Sequence, residues 1–274
     1  MYSADGHSTF SSNQVATLRI LFASLALLPF GIRAFKTLDF RKDILPFSIV
    51  AICGNLAPAF LFTYAETGIS SGLAGMLNSI TPIFTILIAI FIFKDKMNYR
   101  QFVGTAIGFI GVGLLLYFGK QNSIEGEWSH IISVLGATLC YAISLSVIRY
   151  KLNHYKSLDI AAIAFLLLLL PSLVLFFTED TMNTFQNNVQ IWNSLSAILI
   201  LSIVGTALAL FIFNTIIKNT SALFASSVTY FIPIVAVVFG FFFNEEITTL
   251  QITGMLIALF GVFIANSNRS QKSS

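Results

Sequence analysis

Pro82 and Pro233 stand 151 residues apart, each inside a long apolar run and each preceded by small and polar residues. A proline in a helix has no amide to give the carbonyl four residues back. Pro82 therefore frees the carbonyl of Asn78, Pro233 that of Thr229, and Pro58 that of Gly54, beside Asn55. Such carbonyls are tolerated in an apolar setting where neighbours, polar side chains or a wet cavity satisfy them. Asn55, Asn78, Thr81, Thr229 and Tyr230 are the polar residues at these places, and with Pro82 and Pro233 they form the candidate site. Its chemistry is neutral hydrogen bonding to a small polar molecule. Tyr141 joins it from another run, with Ser133, Cys140 and Ser144 on a nearby stripe, and Thr206 and Asn214 are weaker additions. Arg19 is the one charge well inside a run, where an Arg at the bilayer centre costs roughly 2.5–3.5 kcal/mol. It either snorkels to the headgroups or meets a carbonyl, a carboxylate or an anionic group.

Other chemistry finds no footing. No nucleophile–base pair and no paired carboxylates point to an enzyme. Cys53 and Cys140 lie in apolar runs and read as packing residues, and no metal-ligand spacing or cofactor motif occurs. Gly108-Phe109-Ile110-Gly111-Val112-Gly113 lacks the lysine of a phosphate loop and lies within a span, so it is not a nucleotide site. No Asp or Glu occupies the middle third of any run, so no carboxylate proton relay is visible. Chemistry carried by such a relay is therefore not expected.

The elements that must position these residues are membrane helices. Hydrophobic residues make up 56% of the 274 and charged residues 10%, far below the roughly 25% of soluble chains. Nine runs near the ~20 residues that cross a bilayer as helix cover 14–35, 44–64, 69–93, 99–118, 128–147, 158–177, 191–217, 220–243 and 250–266. The expected fold is an all-α, polytopic membrane protein. Of 15 Lys and Arg, 13 fall after the odd-numbered runs or in the tail, Lys120 and Arg19 being the exceptions. Positive residues favour the cytoplasm, so the N-terminus is expected outside and the C-terminus inside, in the cell (inner or plasma) membrane.

Shifting the chain by 151 aligns Gly54 with Gly205, Ser70 with Ser221, Ala74 with Ala225 and Pro82 with Pro233. One residue later in register, Gly104 meets Gly254 and Gly111 meets Gly261. The matched runs differ by five in order. An odd offset makes the copies cross the membrane in opposite senses, an inverted repeat. Helix six then pairs with helix one through Ile160-Ala161 and Val15-Ala16, and helix five has no partner, so the first helix of a five-plus-five arrangement is expected to be missing. The expected organisation is a polar external segment (1–13), a first repeat of four helices (14–118), a linker (119–127), a second repeat of five (128–267) and a cytoplasmic tail (268–274). In the third run Ser71, Gly75, Asn78, Pro82, Thr85 and Ala89 share one helical face, and in the eighth Ala222, Ser226, Thr229, Pro233, Ala236 and Gly240 do. Small faces also suit a helix–helix seam, and one face can serve both purposes.

The order and spacing of Leu18-Arg19-Ile20, the Pro82 run into Lys94-Asp95-Lys96, Gln101-Phe102-Val103-Gly104, Gly111-Val112, Pro233-Ile234-Val235-Ala236 and Asn244-Glu245-Glu246 resemble the EamA type of the drug/metabolite transporter (DMT) superfamily. The resemblance implies ten helices in two inverted repeats and export or exchange of small organic metabolites by alternating access. Its partners would be the bilayer and a small organic solute, with a homodimer left open and no nucleic acid or cofactor. The other reading is a non-transporting or partner-dependent membrane protein that lacks helix one.

Overall fold

The computed structural model describes residues 10–96, 98–119, 128–179, 181–187, 191–209, 222–242 and 247–266. No strand occurs among them. Five helices are long and apolar enough to cross a membrane: α1 (Ser12–Phe35), α2 (Phe40–Ala65), α3 (Ser71–Phe91), α5 (Trp128–Lys151) and α6 (Ser157–Thr178). Four further apolar helices accompany them: α4 (Tyr99–Gly119), α7 (Ile191–Ser202), α8 (Ala222–Phe242) and α9 (Thr249–Asn266). The chain is an all-α, polytopic membrane protein.

Local sequence sets the helix ends. Ser11 caps α1: its hydroxyl accepts from the Gln14 amide at 3.2 Å, and the Gln14 side chain accepts from the Ser11 amide at 3.1 Å. This reciprocal pair satisfies two of the donors a helix start leaves over. Ser70 caps α3 by accepting from the Leu73 amide at 3.2 Å. Beyond the last turn of α3, Lys94 takes φ 56°, and the Asp95 amide reaches back to the Ala89 carbonyl at 3.0 Å.

The chain divides into two compact units. One draws on Met1–Tyr64 and Val147–Thr215, the other on Ala65–Ser146 and Ile216–Ser274. Each unit therefore takes helices from both halves of the sequence.

In the first unit α1 packs chiefly on α6, with further contacts to α7, and α2 packs on α6. Ala23, Leu27 and Phe165 form one buried cluster. Phe10, Leu18, Ile191 and Ile198 form another, with Phe176 and Phe185 against it. Gly31 permits the close approach of α1 to α6, since a Cβ there would stand 2.9 Å from the Ala162 carbonyl oxygen. The segment 178–190 reads as a polar loop, yet a short helix (Thr181–Asn187) forms in it. Phe185, edge-on to Phe10 at 5.8 Å, packs this helix down, and Gln14 Nε2 donates to the Glu179 carbonyl at 2.9 Å and to Thr184 Oγ1 at 3.0 Å.

In the second unit the main pairs are α4 with α9 and α3 with α8. Ile80, Ile83, Val112, Ala258 and Val262 form the buried core between them. The glycines of α4 and α9 allow backbone-to-backbone contact. A Cβ on Gly111 would stand 2.7 Å from both Ala258 Cα and the Gly254 carbonyl oxygen, and one on Gly261 would stand 2.6 Å from the Gly104 carbonyl oxygen. With no hydrophobic drive between helices in lipid, such close packing supplies the adhesion.

Two irregularities interrupt the helices of the first unit. α2 widens into a π segment at Ile52–Leu56, and α7 runs into a second at Ile203–Leu208. They begin 151 residues apart, the same separation as Pro82 and Pro233, and Asn55 and Thr206 hold the same place in each.

Candidate functional site

The candidate residues divide between the units. Arg19 and Asn55 belong to the first, and Asn78, Thr81, Pro82, Tyr141, Thr229, Tyr230 and Pro233 to the second. The side chains of Thr229 and Tyr230, and all of Asn214, lie outside the described residues.

Asn78, Thr81 and Pro82 are brought together at a break in α3. Residues Asn78–Ile80 tighten into a 3-10 turn, and a new α-segment starts at Thr81 with Pro82 in its first turn. Proline suits that place because its missing amide has no helical partner there. The sequence leaves the Asn78 carbonyl free, and here the structure differs. The Thr81 amide donates to it, as the tighter i to i+3 turn allows. The Asn78 side chain is turned to a different task, its Oδ1 accepting from Thr81 Oγ1 at 3.2 Å, while Thr85 Oγ1 donates to the Thr81 carbonyl at 2.9 Å. Asn78, Pro82 and Thr85 are half-buried, while Thr81 is buried. The Asn78 amide nitrogen has no protein acceptor among the described residues.

The small face of α3 lies against α8 at Gly75 and at the Asn78–Ile80 turn. At Gly75 it is a seam, close against Ala236 of α8. α8 runs as one helix through Pro233, which is buried.

Asn55 sits in the π segment of α2, half-buried, where its Nδ2 donates to the Val50 carbonyl at 3.3 Å. The Ala57 amide donates to the Ile52 carbonyl, five residues back, just ahead of Pro58. Asn55 thus compensates part of the loosened ladder and keeps its Oδ1 as an acceptor. Thr206, in the matching segment, is half-buried, and its hydroxyl oxygen is buried with no partner among the described residues. In α5, Tyr141, Ser133 and Cys140 are half-buried and Ser144 is buried. Arg19 is half-buried on α1.

One polar cluster escaped the sequence reading. Asp43, the only charged side chain buried among the described residues, accepts from the Tyr155 hydroxyl at 2.7 Å and lies 3.7 Å from His154 Nε2. The Asp39 amide donates to Tyr155 Oη at 3.3 Å, and Phe47 meets the Tyr155 ring edge-on at 5.1 Å. Burial pushes the Tyr155 hydroxyl above its ordinary value near 10, and its bond to Asp43 pushes it further the same way. The cluster ties the start of α2 to the connection between α5 and α6. Asp43 and Tyr155 are 112 residues apart, and no local pattern links them. Elsewhere the His130 ring closes over Gly68, with Thr67 Oγ1 3.4 Å from its Nε2. No group of His, Cys, Asp and Glu among the described residues could hold a metal ion.

Comparison with known proteins gives these features a setting. The EamA-like transporter family matches residues 2–117 and again 128–267. The chain is 25% identical over 261 residues to the "Uncharacterized transporter YoaV" of Bacillus subtilis, covering 89% of this chain and 86% of that one. It is 24% identical to the "Probable terminal-alkyne amino-acid exporter" of Streptantibioticus cattleyicolor, covering 90% and 82%. A solved crystal structure, 13% identical, superposes with a TM-score of 0.59 over 94% of this chain and shares its fold. With the family matched over both halves, the chain belongs to the EamA-like transporters of the DMT superfamily and is a membrane transporter.

Proposed function

We propose that this transporter moves small organic metabolites, most naturally outward, by alternating access between two inverted repeats around a midplane site. The observation that carries the site is the break in α3, where a half-buried Asn78 side chain accepts from Thr81 Oγ1 and its amide nitrogen meets no acceptor among the described residues. Support for the repeat comes from two matches to one family, from π segments 151 residues apart, and from the pairing of α1 with α6, α3 with α8 and α4 with α9. These are the pairs the sequence offset relates. The charge distribution supports an N-terminus outside and a C-terminus inside. A relative named as an amino-acid exporter makes small polar solutes with both donors and acceptors the first to try.

The test is flux in proteoliposomes holding the purified chain, with Asn78→Ala and Tyr230→Ala. Loss of one hydrogen bond to a bound solute costs about 1 kcal/mol and more when charge is involved, so each variant should carry solute roughly 5- to 30-fold more slowly. Full flux in both variants, at equal protein content, would exclude this site.

A further inference from the structure

We infer that Arg19 recognises an acidic group on the transported molecule, making carboxylate-bearing solutes the substrate class. The inference rests on the transporter reading above. Arg19 stands seven residues after the start of α1, roughly 10 Å into the helix at 1.5 Å per residue. One side of α1 is covered, with Ala16, Leu18, Ile20, Ala23 and Leu27 all buried, while Leu25, Phe30 and Ile32 are exposed. Arg19 shares a stripe with Val15, Phe22 and Ala26, at helical spacings of four, three and four; all four are half-buried, and Val15 and Phe22 pack against the cluster of Phe10, Leu18, Ile191 and Ile198. A cation in a membrane span is placed toward a bundle interior or a wet cavity, because lipid is costly for it.

Among the described residues, no hydrogen bond, ion pair or ring contact engages the Arg19 guanidinium. The described carboxylates are placed elsewhere. Asp39 meets Lys42, Asp43 meets Tyr155 and His154, and Glu179 accepts from Asn13 at the mouth of α1. Glu66 and Asp95 lie beyond the ends of α2 and α3, and Asp159 lies in the first turn of α6. A buried lysine can shed its proton, but a guanidinium keeps its charge and its planar fork of donors, which matches a carboxylate. The repeat-related position carries no cation. At the offset that relates Val15 to Ile160, the position in α6 equivalent to Arg19 is Ala164, fully buried.

The test uses the full chain in proteoliposomes and a matched pair of probes, an amino acid and its amide, with Arg19→Gln and Arg19→Lys. The acid should be carried in preference to the amide. Arg19→Gln should lower acid flux roughly 100-fold while changing amide flux less than about twofold, and Arg19→Lys should lose about 10-fold, since a point charge replaces a two-pronged donor. If Arg19→Gln does not fold, the lysine variant decides. An Arg19→Lys protein equal to wild type would mean that the side chain merely reaches for the headgroups and would overturn the inference. So would equal losses for acid and amide, because Arg19 would then serve the fold and not the solute. Flux of amides alone would overturn this inference and leave the transporter reading standing. No flux of either probe class or of other small metabolites would overturn both.

Discussion

Gly111→Leu should unfold or fail to assemble the second unit, while Gly113→Ala, two residues along the same helix, should leave it intact. A Cβ at Gly111 meets the backbone of α9 at Ala258 and Gly254, and backbone cannot turn aside as a flexible side chain can. Nothing lies within 4 Å of a Cβ at Gly113. Overpacking in a dense interior costs about 1–3 kcal/mol and more when the clash is with main chain, so about 3 kcal/mol or more is expected for Gly111→Leu. An exposed change away from such features stays within about 0.5 kcal/mol. Thermal unfolding in detergent, together with the amount of folded protein recovered from membranes, reads the difference. Equal midpoints for the two variants would show that α4 and α9 are not held by backbone contact.

Tyr155→Phe should loosen the tie between the start of α2 and the connection preceding α6. The change removes the donor that meets the buried Asp43 carboxylate at 2.7 Å and leaves Phe47 its aromatic neighbour, so packing is nearly preserved. An acceptor left unsatisfied in a buried place costs about 1–3 kcal/mol, and Asp43→Ala, which also removes the partner of His154, should cost as much. The pH dependence separates this bond from simple packing. The native protein holds the Tyr155 proton more tightly than the unfolded chain does. Its contribution is therefore complete below the ordinary tyrosine value near 10 and is lost as pH rises through the higher native value. Midpoints followed from about pH 8 to 11 should fall less steeply for Tyr155→Phe than for wild type. Parallel alkaline limbs would show that the hydroxyl bond does not contribute.

What could be read in the chain, and what could not, divides by the reach of each signal. The spans follow from runs of apolar residues, and each run is its own evidence. The separation of 151 residues is carried by glycine and proline, whose steric demands are local, and it reappears in the two π segments. Pro82 marks the break in α3, but the sequence does not tell that Thr81 would take up the Asn78 carbonyl. That choice between a wet carbonyl and a tightened turn depends on how α3 is held. The small face running from Ser71 to Ala89 is uniform in the sequence, and that Gly75 on it meets Ala236 of α8 is decided only by its neighbours. Asp43 and Tyr155 left no trace because each is an ordinary loop-end residue until the other arrives. The helix Thr181–Asn187 was hidden by its own polar residues, which read as loop until Phe185 finds Phe10.

The interleaving of the two sequence halves has a consequence for how the protein is made. Helix α1 finds its main partner, α6, only when the chain has grown past residue 178, and α4 waits for α9 at the end of the chain. During synthesis the ribosome thus delivers α1 to the bilayer with Thr17 and Ser24, both fully covered in the finished molecule, still facing lipid or a temporary companion. The glycine ridge of α4 waits in the same way. Contacts between segments this distant close late and leave surface open meanwhile. Nascent chains stalled near residue 120 should therefore be held by the insertion machinery or cleared by membrane proteases, and release should come with the closing turns of α9.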